Sequence, residues 1–163
     1  MVSKTDFTPE EWQQVLTAPQ MAALYIALAS PSGPLGAVKE MMASTKMIIE
    51  AMKAGSDNAL IDAVVADFRE KAAAKEKIEQ PQLSKDPNEM KAHCLQAFRD
   101  LDALLSQKAP AEAEGYKQWV HHAAQLSAEA AKEGGFLGIG GTKVSEAETI
   151  ALNEIASALG IPA

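Results

Sequence analysis

An all-α fold, an antiparallel bundle of six or seven helices, is what the sequence predicts, and three observations predict it. Helix-capping signatures recur along the chain, apolar residues return at three- and four-residue spacing between them, and no stretch alternates convincingly as a strand would. The first element opens at about residue 9. Thr8-Pro9-Glu10-Glu11 offers a capping hydroxyl, a proline where no donor is missed and a glutamate that can return a bond to the cap. Trp12, Val15 and Leu16 share one face, and Pro19 predicts a kink or a restart at Thr17-Ala18-Pro19. Met21 to Ala29 is apolar on every side, which places it at the bundle centre, and Ser30-Pro31-Ser32-Gly33-Pro34 ends it.

A third helix is expected from Leu35 to Lys53, its stripe including Val38, Met41, Ile48, Ile49 and Met52, with Gly55 as the stop. A fourth runs from Asp57 to Glu79 and halts before Pro81. Asp86-Pro87-Asn88-Glu89 repeats the capping signature and opens a helix whose stripe carries Met90, Cys94, Ala97, Phe98, Leu101, Leu104 and Leu105. Pro110 ends that helix and opens the next, with Tyr116, Trp119, Val120, Ala123, Leu126 and Ala130 on one face as far as Glu133. Ser145-Glu146-Ala147-Glu148 caps the last helix, which packs Ala151, Leu152, Ile155 and Leu159 before Gly160.

A chain of 163 residues fits one domain, 1–163, and a chain of this size buries roughly two thirds of its unfolded surface on folding. The longest apolar run, Met21 to Ala29, is about half of the roughly twenty residues that span a bilayer, so no membrane insertion is expected. The start, Met1 to Asp6, lacks the apolar core of a secretory signal, and the lone Cys94 fits a reducing compartment, so the expected location is the cytoplasm. The net charge of −7 repels phosphate backbones, and the densest basic stretch, Arg69 to Lys77, is interleaved with Glu70 and Glu76; nucleic acid is not an expected partner.

Two connections resemble each other: Ser32-Gly33-Pro34-Leu35-Gly36 and Gly134-Gly135-Phe136-Leu137-Gly138 each read small-Gly-x-Leu-Gly between helices. If they are related, the fold is two pseudo-repeated helix hairpins about an approximate twofold axis. The second belongs to the most unusual stretch of the chain, with five glycines in the eight positions 134–141. Gly135, Phe136, Gly138, Gly140, Gly141, Thr142, Lys143 and Ser145 are the candidate ligand or partner residues. Glycines permit close approach, and backbone donors beside Thr142, Lys143 and a helix start at Ser145 suit an anion or carboxylate. The loop is not a phosphate-binding P-loop, since its order is Gly-Thr-Lys and no strand precedes it. The competing reading is a tight connection whose Phe136, Leu137 and Ile139 plug the end of the bundle.

Metal and nucleophile chemistry find little footing. His121 and His122 diverge by about 100° on a helix, which hinders their sharing one metal, and His121 is expected to point away from the apolar face. Glu89 and His93 share a face, but di-iron bundles need paired Glu-x-x-His motifs, and none occurs. Cys94 reads as a small core residue, and no Gly-x-Ser-x-Gly is present. Met47 lies beside the main stripe of its helix, where it would either pack in the core or widen an apolar groove. No catalytic residue, metal site or cofactor is assigned.

Phe7-Thr8-Pro9-Glu10-Glu11-Trp12, Pro31-Ser32-Gly33-Pro34, Tyr116-Lys117-Gln118-Trp119, Glu133 to Gly141 and Val144-Ser145-Glu146, taken as a set, resemble small uncharacterised bacterial helical proteins, including cyanobacterial ones. That resemblance implies a helical bacterial protein and no activity, cofactor or catalytic residue. The expectation for function is a non-enzymatic protein that acts through self-association or a protein partner. The alternative is a small-ligand or metal-binding bundle, a degenerate relative of ferritin-like folds.

Overall fold

The computed structural model describes residues 1–30, 45–50, 53–76, 84–132 and 144–162, and there the chain is an all-helical bundle with no strand. After a short 3-10 turn, Lys4–Asp6, come α1 (Pro9–Ala29), α2 (Ala59–Ala73), α3 (Pro87–Lys108), α4 (Pro110–Lys132) and α5 (Glu146–Ala158). Residues 45–50 and 53–54 are also helical. No described helix is long and apolar enough to cross a membrane.

The caps form as their residue types dictate. Thr8 Oγ1 accepts from the Glu11 N–H at 3.2 Å while Glu11 Oε2 accepts from the Thr8 N–H at 2.7 Å. Asn58 Oδ1 accepts from Leu60 and Ile61, and Asp86 Oδ1 from Asn88. At its far end α5 closes in a Schellman turn: Ile161 donates to the Ala156 carbonyl, Gly160 to that of Ser157, and Gly160 takes φ +66°.

Four helices, α1, α3, α4 and α5, all touch one another, and α2 packs against α4. Pairs of contacts give their directions. Glu11 meets Lys108 and Tyr25 meets Lys91, so α1 runs against α3. Asp102 meets Lys117 across the single-residue link at Ala109, so α3 and α4 form an antiparallel hairpin. Tyr25 meets both Lys91 and Glu154, and Gly160 at the end of α5 lies beside Asp102, so α5 runs with α3 and against α1. One apolar cluster draws on all five helices, with Leu16, Ile26, Leu60, Phe98, Tyr116 and Ile155 almost fully buried in it.

Several expectations need correction. Helix α1 continues through Pro19 instead of restarting. Proline leaves the Val15 carbonyl without its helical donor, and the buried Tyr116 hydroxyl of α4 donates to that oxygen, so tertiary structure satisfies what the ladder loses. Helix α2 stops at Ala73, six residues before the expected Glu79. Its charged second half has little to bury, and Lys75 adopts φ +55° as Glu76 and Lys75 donate back to Lys71 and Ala72. The buried face of α4 is turned from the expected one: Val120, Ala123, Ala124, Ser127 and Ala128 are buried, while Trp119 and Leu126 are only half-buried. Of the expected third helix, Met47 and Ile48 are core and Ile49 is 43% exposed. The paired connections at 32–36 and 134–138 lie outside the described residues.

Candidate functional site

The residues singled out in the glycine-rich loop, Gly135, Phe136, Gly138, Gly140, Gly141, Thr142 and Lys143, lie outside the described residues. Ser145 is described, and its groups are engaged in capping the start of α5. Its Oγ accepts from the Glu148 N–H at 3.2 Å, while its own N–H and hydroxyl both reach Glu148 Oε2, at 2.8 and 2.9 Å. The Glu148 side chain is buried by this reciprocal cap.

The histidines scatter. His121, expected to point outward, is half-buried with Nε2 3.1 Å from the Leu152 carbonyl of α5, because the turned face of α4 brings it over that helix. His122 is exposed beside Gln125. Glu89 accepts from Ser84 Oγ at 3.0 Å. Among the described residues no three His, Cys, Asp or Glu side chains come together as metal ligands would. Cys94 is fully buried, and burial pushes its thiol up to about 11, far from the range of a nucleophilic thiolate.

Among the described residues, the buried charged groups Asp67, Lys117 and Glu148 are each held by structural contacts. Asp67 of α2 accepts from Lys4 Nζ at 2.6 Å and from the Trp12 indole N–H at 3.0 Å, tying the N-terminal segment and α1 to α2. Burial alone would raise the Asp67 carboxyl, but these two donors and the charges of Lys4 and Lys71 hold it below the usual aspartate value. Tyr25, buried against α5, donates to Glu154 at 2.6 Å, and burial followed by that carboxylate raises its phenol well above the ordinary value. None of these groups has the base, nucleophile and oxyanion donor that an acyl- or phosphoryl-transfer site assembles.

Among the described residues, α1 and α3 enclose a groove of about 260 Å³ that is open to solvent. Its bed is apolar and small: Ala18 and Ala97 face the gap from the two helices, with Phe98 and Leu101 buried beneath and Met21 half-buried at one end. Short side chains at 18 and 97 leave unfilled the space that larger ones would occupy between helices. The rim is polar, with Glu10, Gln14, His93, Gln96 and Asp100 all exposed. Gln96 donates to Asp100 at 2.8 Å. The groove was not foreseen in the sequence, since its two walls come from helices some eighty positions apart; the signal present was the polar i, i+3, i+4 flank of each helix. A second, shallower hollow of about 430 Å³ lies between α3 and α5, beside Ile150, which is 52% exposed. Compared with known proteins, the chain matches no family model, no curated sequence and no solved structure.

Proposed function

We propose that this is a non-enzymatic helical protein that works by association, with itself or with another protein. The observation that carries this reading is the α1–α3 groove, a trough with an apolar bed and a polar rim rather than an enclosed cavity with converging catalytic groups. That anatomy, apolar at the centre and polar around it, is the one protein interfaces use. Exposed Ile49 and Ile150 add apolar surface outside it. The groove lies a little under the roughly 300 Å³ at which small-ligand pockets begin, so a ligand-binding bundle gains less from it, while the shallower α3–α5 hollow of about 430 Å³ lies within that range and would be the place where such a bundle held its ligand. A cytoplasmic setting and a bacterial origin belong to the same reading and rest on the residues quoted above. The test is analytical ultracentrifugation combined with native mass spectrometry of the purified full chain. A dimer, or a complex with a stoichiometric protein partner, supports association; a strict monomer that retains a metal or small organic molecule overturns it.

A further inference from the structure

We infer that the α1–α3 groove receives an amphipathic helix with a basic flank, from a protein other than this one; the inference rests on the association reading and names its partner. Length is the first argument. The lining runs along α1 from Glu10 to Met21, about 16 Å, and along α3 from His93 to Leu101, about 12 Å or a little over two helical turns. That is the span over which a helix laid in a groove presents anchors at i, i+3 or i+4, and i+7. Volume is the second, because about 260 Å³ accommodates the tips of two or three aliphatic side chains and not a whole helix. The visitor therefore lies on the rim and inserts only its apolar stripe.

Charge is the third argument, and it decides the partner. The described lining carries Glu10 and Asp100 on opposite walls and no lysine or arginine. A lysine-rich flank on the visiting helix meets both carboxylates, whereas a second copy of a chain with net charge −7 brings like charge to an acidic rim. Thr17, which also lines the groove, has its hydroxyl satisfied within α1 by donating to the Gln13 carbonyl.

The experiment uses the full chain and a synthetic helical peptide of about fourteen residues, roughly four turns, with leucines at i, i+3, i+4 and i+7 and lysines on the flanks. The control peptide carries glutamate in place of every lysine. Amide chemical-shift mapping is expected to place the lysine peptide on Gln13, Met21, Gln96 and Ala97, with affinity that falls as salt rises and no comparable binding of the glutamate peptide. Ala97→Leu, which fills the bed, is expected to weaken binding at least about tenfold, and the rim pair Glu10→Gln with Asp100→Asn about five- to tenfold, each with unchanged circular dichroism. Perturbations spread over the acidic surface, equal binding by Ala97→Leu, or groove shifts that appear only on raising the protein's own concentration would overturn the inference. If Ala97→Leu still assembles in the ultracentrifuge while failing to change peptide binding, the association reading stands and this groove is not its seat.

Discussion

At Tyr116 one hydroxyl decides whether a proline is tolerated. Pro19 deprives the Val15 carbonyl of its i+4 donor, and that oxygen is buried, so without another partner it carries the desolvation penalty of an orphaned acceptor. Tyr116→Phe is therefore expected to destabilise the fold by about 1–3 kcal/mol. In a Pro19→Ala background, where the substituted position regains a backbone N–H that can reach the Val15 carbonyl, the same change should cost clearly less, and denaturant unfolding of the four proteins in the cycle measures the difference. Equal costs in both backgrounds would dissociate the two residues. Asp67 sets a second residue-scale expectation. Its folded-state carboxyl lies below the unfolded value near 3.8, so its contribution is fully present above that value and is lost as pH falls through the depressed folded one. Asp67→Asn should thus lower stability at neutral pH and flatten the loss of stability below about pH 4, as thermal unfolding across pH reports. Cys94, buried with its thiol raised to about 11, should react with a thiol reagent in the native state only as fast as the protein opens.

Among the elements, ends rather than middles are where local chemistry acts alone. The Ser145–Glu148 reciprocal cap starts α5 directly after the glycine-rich stretch, and Ser145→Ala should cost about 1 kcal/mol in denaturant unfolding. Two glycines with positive φ allow a sharper comparison. Gly55, at φ +72°, has open space where a Cβ would go, so Gly55→Ala meets only the backbone penalty of about 1 kcal/mol. Gly160, at φ +66°, would set a Cβ 2.9 Å from Asp102 Oδ2, on the carboxylate that also accepts from Lys117, so Gly160→Ala should cost more than Gly55→Ala. Equal losses would show that the Asp102 side chain gives way freely. The same scale explains α2: its large apolar residues end at Phe68, and the helix persists only to Ala73 because a charged stretch has no core to bury against.

For the whole molecule, far-ultraviolet circular dichroism is expected to be dominated by helix, and a substantial sheet signal would contradict the fold. The all-helical class, the starts of α1, α3 and α5, the end of α5 at Gly160 and the core places of Cys94, Phe98 and Ile155 were legible in the amino-acid sequence. Each depends on hydrogen bonds or spacing within a few residues, which the chain specifies locally. Tertiary structure alone decided that α1 survives Pro19, since the compensating donor sits about a hundred residues away on α4. It also turned the buried face of α4, where alanines at 123, 124 and 128 let helices approach closely while the bulkier Trp119 and Leu126 were moved to the margin. The α1–α3 groove is of the same kind: neither helix encodes a hollow, and the small residues Ala18 and Ala97 come to line one groove only when the bundle closes.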